Sequence, residues 1–511
     1  MAYTTFAAID VGSNDVSMKI FQVTMKKGFK EIDYVSSMIE LGSDTYRRGS
    51  ICNEVVDGLC NILVNFKKKM KEYDVVDYRA YATSAIREAE NSRMVLDRIK
   101  LSTDLDVEIL SNSEHRFLMY KGLAAKYTEY KQIIDKNTAL VDIGAGSVQI
   151  SIFDKQQLCL TQNIPIGTVR VRDYLSIMQF KTVKLEKVIE EYVNNEITTF
   201  RNLYLKDSAI KHVIAVGDEI SVLIKAVPEL EIKDSITMKQ FEYIYKKIVD
   251  VNPHELAMEY GIQFERATLM VPSAVIYLSF LQQSKAERVW TPNIVLCDGI
   301  VADYMEKERK LFIDRSFNID IIASAQSIAK RYNCSKIHIQ NVTTIALGIF
   351  DCLKKVYGLG PTERMQLELA AILHDCGKFI NMNDGANNSY NIIMSTEIMG
   401  LSHVEREEIA NIVKYNTLYL SSYAKVKSHF GECDYVKVAK LAAVLRIANV
   451  MDRSHKQKIE KFTVVMKDKQ LVITADTMSD LTLETGLFEE KANFFEKVYG
   501  IRPILKQKRR V

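Results

Sequence analysis

Two short stretches of this 511-residue chain carry the same chemistry-bearing pattern. Asp10-Val11-Gly12-Ser13-Asn14 and Asp142-Ile143-Gly144-Ala145-Gly146-Ser147 each set an aspartate two residues before a glycine, between an apolar run and an alternating one. Glycines here would permit tight, partly left-handed turns that aim backbone N–H groups at one point, while Ser13, Asn14 and Ser147 add side-chain donors. Two such turns facing each other would cradle phosphates, and Asp10 and Asp142 at the strand ends would hold Mg²⁺ directly or through water. A lone Asp-Gly turn closes many ordinary hairpins. It is the repetition, AAIDVGSNDVSMKIFQV against LVDIGAGSVQISIFD, that makes a site of it. Arg87, a short step after the Thr83 and Ser84 hydroxyls, offers the forked donors that grip phosphate oxygens, although alone it would read as a surface arginine. Glu114 alone would read as an acid favoured by a helix dipole. Further on, His338 and His374-Asp375, followed by Gly377-Lys378, are residue types that gather divalent metals for water activation.

The elements that must position these groups can be read from hydrophobic period. Residues 6 to 9 form an apolar strand, 10 to 15 a turn, and Val16, Met18 and Ile20 alternate as a returning strand. A helix over 55–73, a strand within YRAYATSAIR and a helix over 91–100 make residues 1–128 a layered α/β domain. The second Asp-x-Gly copy opens a related α/β domain over 129–306. From there the texture changes to long amphipathic helices (320–332, 339–357, 365–373 and 405–415), giving an all-helical domain over 307–455. Strand, strand, helix and strand patterns then make residues 456–511 a small α+β cap, whose KQKRR end reads as a solvated, frayed terminus. The balance of 68 basic against 65 acidic residues is too even to argue for nucleic acid, and 47% hydrophobic with 26% charged residues excludes a disordered chain. Eight cysteines without a CxxC pair, no leader pattern and no apolar run near about 20 residues predict a cytoplasmic protein with free thiols and no membrane segment.

The paired hairpins resemble the actin-like (ASKHA, ribonuclease H-like) fold of actin, sugar kinases and chaperone ATPases. ATSAIREAEN, EILSNSEHRFLMYKGL, VDIGAGSVQIS and IPIGTVRVRDYL, in this order, narrow the resemblance to the exopolyphosphatase/guanosine pentaphosphate phosphohydrolase (Ppx/GppA) family. DIIASAQSIAKRY, KIHIQNV, LAAILHDCGKFIN, IMGLSHVEREEIANIVKY and AAVLRIANVMDRSH carry it to the end of the helical part, which is HD-like. The resemblance implies two actin-like domains, an HD-like helical domain and a small cap. It also implies hydrolysis of a terminal phosphoanhydride of polyphosphate or guanosine pentaphosphate, with Mg²⁺ and a carboxylate-activated water. On the matching positions Glu114 is the catalytic base, and Asp142, Gln149 and Asp10 form the metal set. Gly12, Ser13, Asn14, Arg87, Gly144, Ala145, Gly146 and Ser147 contact phosphate. The family also suggests a homodimer.

Departures from the family pattern share a direction. Gln149 stands for a metal-binding glutamate, Ala145 for a glycine, Asp15 for a small hydroxyl residue and His115 for the acid that follows Glu114. GDEISVL from Gly217 places Asp218 and Glu219 where donors are expected. Weaker Mg²⁺ and polyanion binding should follow. A second reading is therefore a catalytically weakened or silent member that senses polyphosphate or guanosine tetraphosphate and regulates a partner. A sugar or acetate kinase is disfavoured, because no adenosine-binding glycine loop survives near Gly217. In the helical part, Asn388, Asn416 and Asn449 stand where ligands are expected, so His338, His374 and Asp375 read as the remnant of a metal site that binds poorly.

Overall fold

The first Asp-x-Gly repeat folds as a hairpin because β1 (Thr4–Val11) is apolar and buried along Phe6, Ala7, Ala8 and Ile9, and its turn closes through Gly12 N–H donating to Asp15 O at 3.0 Å. The structure is a computed structural model that describes residues 3–24, 28–127, 129–177, 185–205, 209–309, 317–427, 432–467 and 469–508. The returning strand β2 (Asp15–Thr24) pairs antiparallel with β1 and with β3 (Gly28–Met38), a strand the sequence reading did not foresee. Strands β4 (Asp77–Ala82) and β5 (Val107–Ile109) add in parallel, giving the order β3-β2-β1-β4-β5.

The second copy repeats this plan. β6 (Thr138–Ile143) turns through Gly144 N–H to Ser147 O, also 3.0 Å, into β7 (Val148–Asp154), and β8 (Gln157–Ile164) completes the meander. With β9 (His212–Val216), β10 (Ser235–Thr237) and β11 (Arg288–Trp290) the order is β10-β11-β9-β6-β7-β8, β9 lying parallel to both β6 and β11. Matching registers pair Asp10 with Ser17 and Asp142 with Gln149, so each aspartate shares a sheet face with its cross-strand partner.

Helices cover these sheets. They include α1 (Leu41–Arg48), α2 (Asn53–Glu72), α3 (Asn112–Lys126), α4 (Asp218–Lys225), α5 (Phe264–Ser284) and α6 (Leu296–Arg309). At 21 residues α5 is long and apolar enough to cross a membrane by length and composition, which the sequence reading overlooked; 67% of its apolar window is buried within the protein, as in the core helix of a folded domain. Helices α3 and α6 cross closely at Gly122 and Gly299, where a Cβ on Gly122 would lie 2.8 Å from Gly299 N and one on Gly299 would run into Leu118 O. Buried ion pairs flank the crossing: Lys121 Nζ to Asp303 at 2.7 Å, and Asp298 Oδ1 to Lys126 at 2.7 Å and to Lys19 at 3.2 Å. Helix α6 thus packs with the first sheet region and runs through the domain boundary expected at 306/307; by contact the chain divides instead into Met1–Asp320 and Ile321–Val511.

In the second unit, α7 (Lys336–Tyr357), α8 (Pro361–Leu373), α9 (Gly385–Ser395), α10 (His403–Lys414) and α11 (Glu432–Met451) share one apolar core with the small C-terminal layer. Local sequence sets their starts: Ser335 accepts the His338 N–H, Pro361 opens α8, and Ser402 with Glu405 forms a capping box. Strands β12 (Lys461–Lys467), β13 (Gln470–Asp476) and β14 (Arg502–Lys508), with α12 (Thr482–Tyr499), form the terminal layer. The basic end is not frayed over Lys506–Lys508: these residues pair in parallel with Thr474, Ala475 and Asp476, which satisfies the backbone while their side chains stay exposed. Arg509 and Arg510 lie outside the described residues.

Candidate active site

The two Asp-x-Gly turns meet in one cleft of the first unit. Its lining takes Asp10, Gly12, Ser13, Asn14 and Asp15 from the first turn and Asp142, Gly144, Ala145, Ser147 and Gln149 from the second, with Arg87 from the short helix Ser84–Glu88. The start of α4 contributes Asp218 and Glu219 after Gly217, whose φ of +89° is the left-handed backbone this corner needs. A Cβ there would stand 2.7 Å from Asp142 Oδ1. Gly12, Gly144 and Gly146 are not left-handed, contrary to the sequence expectation. What Gly12 and Gly146 provide is room: a Cβ on Gly12 would lie 2.7 Å from Asp15 O, and one on Gly146 would overlap the Tyr46 hydroxyl.

Gly146 therefore sits against Tyr46 of α1 and does not line the cleft. Tyr46 joins Ser13 Oγ (3.1 Å) and Ser84 Oγ (3.0 Å), and Ser13 also accepts the Ala85 N–H at 3.1 Å. This hydroxyl knot fixes the first turn against the helix that carries Arg87. The Arg87 guanidinium is braced at the cleft wall by Leu110 O (2.7 Å) and Asn112 Oδ1 (2.5 Å).

Glu114 lies elsewhere. Ser111 caps α3, and the Glu114 carboxylate turns back to accept the Ser111 N–H at 2.9 Å while Ser111 Oγ accepts the Glu114 N–H at 3.2 Å. This is a capping box, already written in Ser111-Asn112-Ser113-Glu114. Helix α3 lines the cleft instead with the next residue, His115, and with Met119; His115 Nε2 lies 3.3 Å from Asp142 Oδ2 and its Nδ1 3.3 Å from Gln149 Nε2. Sequence reasoning also missed Arg266 of α5, which donates to Asp15 Oδ2 at 2.8 Å.

The cleft is crowded with acid. Burial pushes the Asp142 carboxyl up to about 7, and Asp218 adds to it. Burial likewise raises Glu219 to about 7, against a hydrogen bond from Ser273, and Asp15 to about 6, with Asp218 adding and Arg266 opposing. Asp10 is driven well above the usual range by burial and then by Asp15, Asp218 and Asp142. His115 moves the other way, down to about 3, because burial and the charges of Arg87 and Arg116 disfavour imidazolium. Asp10 Oδ1, Asn14 Oδ1 and Gln149 Oε1 are buried without a hydrogen-bond partner. Unpartnered oxygens among repelling carboxylates suit a hard cation with oxygen ligands, so the residues present fit Mg²⁺ on Asp10, Asp142 and Gln149.

In the second unit His338, His374 and Asp375 do come together: His338 Nε2 is 3.2 Å from His374 Nε2 and 3.9 Å from Asp375 Oδ2. Two residues absent from the sequence reading join them. Asp452 Oδ2 lies 2.7 Å from His338 Nδ1, and the His455 ring stacks on His338 at 3.6 Å.

Residues 20–308 match the Ppx/GppA phosphatase family, and residues 322–492 match Ppx/GppA phosphatase, domain III. The chain is 20% identical over 485 residues to a guanosine-5'-triphosphate,3'-diphosphate pyrophosphatase of Photobacterium profundum, covering 92% of this chain and 91% of that one. A protein of the same name from Vibrio vulnificus is also 20% identical, over 96% of this chain and 95% of that one. Among solved structures, an exopolyphosphatase from Cytophaga hutchinsonii superposes with a TM-score of 0.53 at 20% identity, over 61% of this chain and 99% of that one. The architecture is thus the actin-like fold of those proteins, followed by a helical region and a small C-terminal sheet. Since the two family matches together run through most of its length, the chain belongs to the Ppx/GppA phosphatase family.

Proposed function

We propose that this protein is a phosphohydrolase that removes the terminal phosphoryl group of polyphosphate or guanosine pentaphosphate in the cleft between the two Asp-x-Gly turns. The observation that carries this reading is the convergence of Asp10 and Asp142 with the unpartnered oxygens of Asp10, Asn14 and Gln149. When bound there, Mg²⁺ supplies charge neutralisation at the phosphoryl group. Ser13, Ser147 and Arg87 orient the terminal phosphate from the cleft wall. The proton of the attacking water passes to a group at the start of α3. Glu114 would have to leave its capping box to take it, whereas the His115 ring already faces Asp142.

The surplus of carboxylates favours a second reading, a catalytically weakened member that binds polyphosphate or an alarmone and regulates a partner. Phosphate release from long-chain polyphosphate and from guanosine pentaphosphate, each with Mg²⁺ and with EDTA, separates the two. Hydrolysis that needs Mg²⁺ is expected, and Gln149→Glu should lower the Mg²⁺ concentration for half-maximal rate by adding a charged ligand. Binding of both compounds with no phosphate released would leave the regulator.

Asp15 supplies a separate test. Its carboxylate repels a polyanion and also occupies Arg266, so Asp15→Ser removes a charge and releases a guanidinium toward the ligand. Polyphosphate should bind about tenfold more tightly to Asp15→Ser at low ionic strength, and the gain should shrink at high salt as screening shortens the reach of the charges. Unchanged binding at both salt concentrations would place Asp15 and Arg266 outside the ligand's path.

A further inference from the structure

We propose that Cys334 and Cys376 of the second unit form an oxidation site, at which a hydroperoxide converts the two thiols into a disulfide that pins the start of α7 to the end of α8. The two residues are 42 positions apart in the chain, yet their Sγ atoms are in contact at 3.5 Å. A disulfide holds its sulfurs about 2.05 Å apart, so roughly 1.5 Å of approach is needed, which rotation about the two Cα–Cβ bonds can share.

Local sequence fixes the backbone on both sides. The helix Phe317–Arg331 ends in a left-handed Asn333, with φ of +54°. Asn333 N–H donates to Lys330 O at 3.1 Å and Cys334 N–H to Ala329 O at 2.9 Å, the two bonds of a Schellman stop. The next residue, Ser335, already caps α7, so Cys334 is held in the joint between two helices. Cys376 opens the short turn Cys376–Phe379 that follows α8. That turn is tied to α9 by the Gly377 N–H donating to Ser389 Oγ at 2.8 Å, and a Cβ on Gly377 would overlap Gly385 O. An edge-to-face contact of Tyr332 with Phe379, centroids 5.9 Å apart, joins the two segments beside the sulfurs. The thiols therefore face each other because two fixed segments meet.

Exposure assigns their order of reaction. Cys334 is half-buried and within reach of a small oxidant, whereas Cys376 is 0% exposed. The Cys334 sulfur attacks a peroxide oxygen: an S–O bond forms, the O–O bond breaks, and the departing hydroxide leaves as water with the thiol's proton. The Cys376 sulfur then attacks the sulfenic sulfur: the S–S bond forms, the S–O bond breaks, and hydroxide leaves with the Cys376 proton as a second water. Two thiols lose two electrons and two protons, and one H₂O₂ is reduced to two waters. With Cys376 already in contact, the sulfenic acid is consumed before a second peroxide can carry it to the irreversible sulfinic acid. The bond closes a loop through α7 and most of α8, which restricts the unfolded chain and favours the folded unit.

The test uses full-length protein, reduced with dithiothreitol, desalted, exposed to H₂O₂ while folded, alkylated and digested for mass mapping. The expected product is a peptide pair joined through Cys334 and Cys376, two hydrogens lighter than its free parts and separated again by dithiothreitol. In Cys376→Ser, Cys334 should be trapped as the sulfenic acid by dimedone. In Cys334→Ser, Cys376 should stay a free thiol. The oxidised parent should melt about 5 °C above the reduced one by far-ultraviolet ellipticity, and peroxide should not shift Cys334→Ser. Mapping the link on the native chain keeps the result independent of how well either variant folds. Both thiols left free in peroxide-treated parent, Cys334 oxidised without a link to Cys376, oxidation of Cys376 at the parental rate in Cys334→Ser, or an unshifted melting of the oxidised parent would each overturn the proposal.

Discussion

Replacing His115 by glutamate should raise phosphate release from polyphosphate by about 10²-fold at saturating Mg²⁺, within the range that a well-placed general base contributes. The imidazole at this position titrates at about 3, so it stays neutral at physiological pH but is too weak a base to draw a proton from water efficiently. A carboxylate in the same buried place would be lifted by the burial that raises Asp142 and Glu219 and lowered by the Arg87 and Arg116 charges, and in either balance it is a stronger base than the depressed imidazole. The companion substitution Glu114→Gln should leave the rate within about threefold of the parent, because glutamine keeps the capping box and α3 stays folded. Initial rates with and without Mg²⁺ decide between the positions. A His115→Glu rate no higher than the parent's, together with a Glu114→Gln rate lowered about 10²-fold, would return the base to Glu114.

Gly299→Ala should cost the first unit about 3 kcal/mol or more, at the upper end of what overpacking does. Its new methyl group would run into the Leu118 carbonyl, which belongs to helix backbone and cannot swing aside as a side chain would. Separating α3 from α6 also strains Lys121–Asp303 and the Asp298 pairs, and a buried charge left without its partner is expensive. Gly486→Ala on α12 is the control: nothing lies within 4 Å of its added Cβ, so helix propensity alone should stabilise by about 0.5–1 kcal/mol. Denaturant unfolding of both variants checks the pair. A Gly299→Ala loss below about 1 kcal/mol would mean that the crossing relaxes and is not a fixed contact.

The parts of this molecule that were legible in its sequence are those specified locally. Both hairpins could be read because an Asp-x-Gly turn joins an apolar run to an alternating one, and the helices expected over 339–357 and 405–415 follow their apolar period, although their caps at Ser335 and Ser402 start them at Lys336 and His403. Strand β3 could not. Its residues are mostly half-buried or exposed, and it exists because β2 offers an open edge with which to pair. Helix α5 hid its period because it is buried nearly all round and carries Pro272. In the cleft, adjacent residues Glu114 and His115 point about 100° apart on a helix, and only the capping pattern tells which one turns inward. The Asp15–Arg266 pair joins residues 251 positions apart, a proximity that no local pattern encodes.

One position in the six-stranded sheet has a practical consequence. The chain's single tryptophan, Trp290, stands on β11 between β10 and β9, with the Arg288 guanidinium 5.9 Å from its ring. Intrinsic fluorescence excited at the indole band is therefore an optical label for the first unit alone, already installed in the native chain. Far-ultraviolet ellipticity sums both units. Recorded on one sample, the two signals assign each melting step to its half of the molecule without an added dye or a truncated chain.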